Sequence, residues 1–123
     1  MKVPASYVAL WQWIFILALS LELPLVFFLA RGRRGRAVLA SLAANAITHP
    51  ALWFLWPRLM PYGASVVFGE LFAVGVEGAA IATLGGQRRF GFLIALAANA
   101  YSYAIGELVM RLIGPALYQF WVR

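Results

Sequence analysis

Residues 37–57 read AVLASLAANAITHPALWFLWP, a run of 21 with no acid, no Lys and no Arg, and with hydrophilic side chains only at Ser41, Asn45, Thr48 and His49. At about 1.5 Å per residue, a helix of about 20 apolar residues crosses a hydrocarbon core about 30 Å thick. Three further runs of that length, about 7–30, 63–85 and 90–113, flank it. Open strands cannot cross lipid, and none of the runs alternates as a membrane barrel would. The reading is an all-α integral membrane protein of four transmembrane helices. The first run is longer than a signal-peptide core and contains Glu22, so it reads as retained.

Composition agrees. Hydrophobic residues are 64% of the 123 and charged residues 11%, whereas soluble domains are about half apolar and about a quarter charged. So short a chain has too little interior to hide that much apolar surface from water. There is no Cys, so disulfides, thiol chemistry and Cys-based metal sites are excluded. No phosphate loop, zinc motif or Ser-His-acid arrangement is present, so no enzyme activity and no cofactor are expected.

The net charge of +6 is placed as a topology signal and not as a nucleic-acid footprint. The loop RGRRGR (31–36) and the turn GGQRR (85–89) hold six of the ten cations. Trp11, Trp13, Trp53, Trp56 and Trp121, with Tyr7, Tyr62 and Tyr118, gather at the opposite ends of the runs. Cationic turns favour the cytoplasmic side and aromatic belts mark interfaces. The expected topology is an inner-membrane protein with both termini outside, against which Lys2, Arg58, Arg111 and Arg123 run. Arg31, Arg33, Arg34 and Arg36 are also placed to touch anionic lipid head groups.

The pentapeptide LAANA recurs at 96–100, 54 residues after its first occurrence at 42–46. Glu22 precedes Asn45 by 23 residues, and Glu77 precedes Asn99 by 22, each pair spanning an Arg-rich turn. The chain therefore divides into two hairpins, 1–57 and 58–123, the second closing on a short interfacial C-terminal tail. Both turns lie on one side, so the hairpins are expected to be parallel repeats about an axis along the membrane normal. Counted from the Arg turns, the two acids and two amides lie about 13–17 Å deep, near the midplane. Each acid is thus expected to meet the amide of its own hairpin.

Ser41, Asn45 and Thr48 share one helix face, and Ala95, Asn99 and Ser102 repeat the spacing. With Gly75, Gly78, Ala79 and Ala82 on the third run, these small and polar residues are expected to face the bundle interior. A second, asymmetric cluster is expected toward the outer face from His49, Glu70, Glu107 and Arg111; Phe15 and Trp53 stand where the first hairpin would need acids. Thr48 is also suited to capping a carbonyl freed by Pro50, and His49 to a capping or hydrogen-bonding role beside that proline.

A carboxylate at the bilayer centre costs about 3 kcal/mol or more unless neutralised. A proton shared with Asn, a bound cation, or a basic group on a partner chain would each meet that cost. The expectation is a transporter- or channel-like subunit for a proton, cation or small polar solute. Glu22, Asn45, Glu77 and Asn99 would form its site, with Thr48 and Ser102 extending the lining. The other reading is a structural or assembly subunit in which the same pairs are struts between helices. Either way a homo-oligomer or larger membrane complex is expected, because four helices enclose little space.

Overall fold

The computed structural model describes the backbone of residues 3–122 and the side chains of residues 3–116. The described chain is all-helical: α1 (Ala5–Leu29), α2 (Arg34–Pro50), a π-helical turn (Ala51–Leu55), α3 (Trp56–Leu59), α4 (Tyr62–Thr83) and α5 (Gly91–Val122). The segment from α2 through α3 is continuous, so four helices are long and apolar enough to cross a membrane: Ala5–Leu29, Arg34–Leu59, Tyr62–Thr83 and Gly91–Ala116.

These agree with the four apolar runs to within a few residues, except at the C-terminus. The short tail expected after residue 113 is a continuation of α5, with Pro115 inside the helix. The ring costs one backbone donor and frees one carbonyl, which a long helix tolerates. The side chains of Tyr118 and Trp121 lie outside the described residues, as do Lys2 and Arg123.

Two prolines shape the second span. After Pro50 the helix widens into the π turn, where Trp56 N–H donates to the Ala51 carbonyl five residues back. Pro57 has no N–H to offer the carbonyl of Trp53 four residues before it. That carbonyl accepts instead from the Tyr7 hydroxyl of α1, at 2.9 Å. His49 takes a hydrogen-bonding role beside Pro50, accepting from Trp11, and Thr48 is buried.

The helices pack as a ring in which α1 meets α2 and α5, and α4 meets α2 and α5. Val26, Ala30, Ala37, Ile81, Ile94, Ala95 and Ala98 form one buried cluster, all in the half of the bundle next to the Arg-rich turns. Packing there is close. A Cβ on Gly91 would sit 2.5 Å from the Ala82 backbone nitrogen, and one on Gly85 would sit 3.0 Å from Ala37 Cα.

Gln87 ties the two Arg-rich turns together. Its Oε1 accepts from Arg31 N–H and its Nε2 donates to the Arg31 carbonyl, both at 2.9 Å. Gly32 (φ 61°) and Gly86 (φ 71°) supply the left-handed residues that let both turns close tightly.

Large apolar side chains point outward, among them Phe28, Leu39, Leu71, Leu93 and Leu112. On α4 the interior face is Ser65, Gly69, Ala73, Glu77, Gly78, Ile81 and Ala82. Gly78 and Ala82 lie inside as expected, but Gly75 and Ala79 face outward. The inward stripe passes through Glu77, and neither position falls on it.

Candidate functional site

Each of the four long helices contributes one polar residue to a single buried layer: Glu22 from α1, Asn45 from α2, Glu77 from α4 and Asn99 from α5. All four are buried, Glu77 most completely at 1% exposure. Asn45 Nδ2 donates to Glu22 Oε2 at 2.9 Å, and Asn99 Nδ2 donates to Glu77 Oε2. These are the two acid–amide pairs that the depth count anticipated.

Three further bonds cross between the hairpins, and sequence spacing did not reveal them. Asn45 Nδ2 also reaches Glu77 Oε1, at 3.3 Å. The Ser41 hydroxyl donates to the same oxygen. The Ser102 hydroxyl donates to Glu22 Oε1. The bonds therefore close a circuit around the bundle, from Glu22 to Asn45, Glu77, Asn99 and, through Ser102 one turn along α5, back to Glu22. Each amide is also anchored to its own helix, Asn45 on the Ser41 carbonyl at 3.1 Å and Asn99 on the Ala95 carbonyl at 2.9 Å. Thr48 is buried on the same face without joining the circuit.

All four carboxyl oxygens of the layer accept a hydrogen bond. Among the described residues the ion pair present is Arg111–Glu107, and no cation faces Glu22 or Glu77. Nor do any three His, Asp or Glu side chains among the described residues converge closely enough to hold a metal ion.

The half of the bundle away from the Arg turns is open. A cavity of about 440 Å³ lies there, with Glu22 and Ser102 at its inner end, His49, Trp53 and Glu70 along its walls, and Tyr62 near its mouth. Glu77, Asn45 and Asn99 do not line it. Glu22 is thus the acid of the circuit that meets the cavity, while Glu77 is sealed behind it.

The expected outer cluster is partly assembled. His49, Glu70 and Glu107 all line the cavity, but Arg111 does not. Arg111 pairs with Glu107 at 3.1 Å on an exposed face of α5, both side chains being well exposed. His49 sits among aromatic rings, 4.8 Å from Phe15 and stacked toward Trp53. Its Nδ1 accepts from the Trp11 indole N–H at 3.0 Å.

Tyr7, Trp11 and Gln87 were not singled out by sequence reasoning as interior hydrogen-bonding groups. Gln87 carries a legible signal in retrospect, being the one amide within the second Arg turn.

No protein family, curated protein or solved structure matches this chain.

Proposed function

We propose that this chain is a small multi-pass membrane protein that moves a proton, cation or small polar solute, with Glu22, Asn45, Glu77 and Asn99 as its midplane site and Ser102 extending the lining. The carrying observation is that the cavity ends on Glu22, one member of the buried circuit. Asn45 Nδ2 touches both acids, so any change at Glu22 alters the donor available to Glu77. That gives a site reached from one side and coupled to a group sealed from it. The packed cluster on the Arg-turn side closes the path there, as one state of an alternating-access cycle requires.

The setting follows from the same physics. The outward Phe and Leu side chains suit lipid and would form a large apolar patch in water. The Arg turns would face the cytoplasm and anionic head groups, with both chain ends outside an inner membrane. The two hairpins would be parallel repeats whose outer halves have diverged. Four helices form a slight scaffold for a solute path, so assembly with further copies or with a larger membrane complex belongs to this reading. The role proposed is not catalytic: the Ser41 and Ser102 hydroxyls beside the acids serve as donors to the carboxyl oxygens.

One observation favours the structural reading instead: every carboxyl oxygen of the layer is bonded across helices, as struts would be. The two readings separate on Glu22→Gln. Gln preserves an acceptor and the side-chain volume but cannot titrate. Proton-driven flux in proteoliposomes should be lost in this variant while it stays folded. Flux equal to that of the parent chain would remove the transport reading and leave the struts.

A further inference from the structure

The cavity specifies more than a charge. Glu70 lines it and makes no hydrogen bond or ion pair with another described residue. Glu22 and the aromatic residues Tyr7 and Trp53 line the same space, and among the described residues no Lys or Arg does. Carboxyl groups attract a cation, and aromatic faces add to that attraction through their quadrupole.

The size argues against a bare ion. Ca²⁺ and Mg²⁺ need about six oxygen ligands at about 2.0–2.6 Å, and the acids here do not converge on a point among the described residues. A space of about 440 Å³ falls instead in the range that holds organic molecules, about 300–1,000 Å³.

His49 supplies direction. An indole N–H can only donate, so His49 Nδ1, which accepts from Trp11, is unprotonated and the ring proton sits on Nε2. His49 is 7% exposed and lines the cavity. Nε2–H has no hydrogen-bond partner among the described residues, which makes it a fixed donor offered to the cavity.

Resting on the transport reading, we propose that the solute is an organic ammonium ion carrying a hydrogen-bond acceptor. Its cationic head lies between Glu22 and Glu70 against Tyr7 and Trp53, and its acceptor meets His49 Nε2–H. The site thereby discriminates against neutral molecules of the same shape and against anions.

The test uses the full chain in lipid nanodiscs, titrated calorimetrically with three probes, with empty nanodiscs as the blank. Benzoylcholine has the cation and an ester acceptor. 3,3-Dimethylbutyl benzoate is its uncharged carbon isostere, and 4-phenylbutyltrimethylammonium keeps the cation without the ester. Benzoylcholine should bind, the isostere at least about tenfold more weakly, and the ester-free cation a few-fold more weakly. Glu70→Gln should weaken benzoylcholine about tenfold with helix content unchanged by circular dichroism. Equal affinity for benzoylcholine and its isostere would overturn the proposal. So would heats no larger than those of empty nanodiscs, the result expected of a cavity filled by lipid alone. Charge-selective binding without flux would leave the ligand class standing and end the transport reading. Proton-driven flux without ammonium binding would do the reverse.

Discussion

At the scale of single residues, the buried layer works by giving each carboxyl oxygen a donor. Removing a donor leaves a buried acceptor unsatisfied, which costs about 1–3 kcal/mol, more than the roughly 0.6 kcal/mol net value of a polar bond between membrane helices. Asn45→Ala strips Glu22 Oε2 of its donor and takes one of two from Glu77 Oε1. Asn99→Ala strips Glu77 Oε2. Each should lower stability by about 1–3 kcal/mol in mixed-micelle unfolding, Asn45→Ala the more. Because both act on Glu77, the double variant should depart from additivity by at least about 0.5 kcal/mol. Strict additivity would mean that the circuit is a set of separate bonds. The acid–amide pairs themselves were legible from counting residues to the Arg turns, since depth along a helix follows from a fixed rise. The bonds from Ser41 and Ser102 were not. They depend on which helices neighbour each other around the ring, and one chain's periodicity does not encode that.

Between elements, glycine sites separate rigid contacts from soft ones. A Cβ on Gly91 would meet Ala82 backbone atoms at 2.5–2.6 Å, whereas one on Gly69 would meet the tip of the Leu52 side chain. Leu52 can change rotamer and the α4 backbone cannot. Gly91→Ala should therefore cost about 1–3 kcal/mol by overpacking, and Gly69→Ala clearly less, as read by thermal unfolding in detergent. The reverse order would contradict the α4–α5 packing described here. The Gln87 clasp gives a second test. Gln87→Glu keeps the acceptor for Arg31 N–H but loses the donor to the Arg31 carbonyl. Limited trypsin digestion should then cut within 31–36 several times faster than in the parent, the loop having lost about 1 kcal/mol of restraint. An unchanged rate would show that the clasp does not hold the loop. The four apolar spans were readable because hydrophobic length is a one-dimensional property. The π turn, the Tyr7 bond to Trp53 and the helical course of α5 past residue 113 were not, because each depends on how a proline's freed carbonyl is satisfied by its surroundings.

For the molecule as a whole, the functional reading rests on asymmetry across its thickness, with a packed cluster beside the Arg turns and a cavity in the other half. The chain has no Cys, so a single introduced thiol reports accessibility without background. Val66 lines the cavity, and Ala98 lies in the packed cluster. In sealed vesicles, Val66→Cys should react with a membrane-impermeant maleimide added on the side away from the Arg turns and be protected from the other side. Ala98→Cys should be protected from that first side. If the protein alternates between two open states, Ala98→Cys should still label from the Arg-turn side at a reduced rate, set by the population of the minor state. A minor state of about 0.1–10% slows labelling by about tenfold to a thousandfold. The proposed ammonium should slow it further by holding Glu22 in the cavity-open arrangement, since a ligand shifts an equilibrium only by binding one state better than the other. A rate at Ala98→Cys that is measurable but indifferent to benzoylcholine would detach the motion from the site. Complete protection from both sides, with Val66→Cys labelling normally, would describe a rigid bundle and return the buried circuit to a purely structural role.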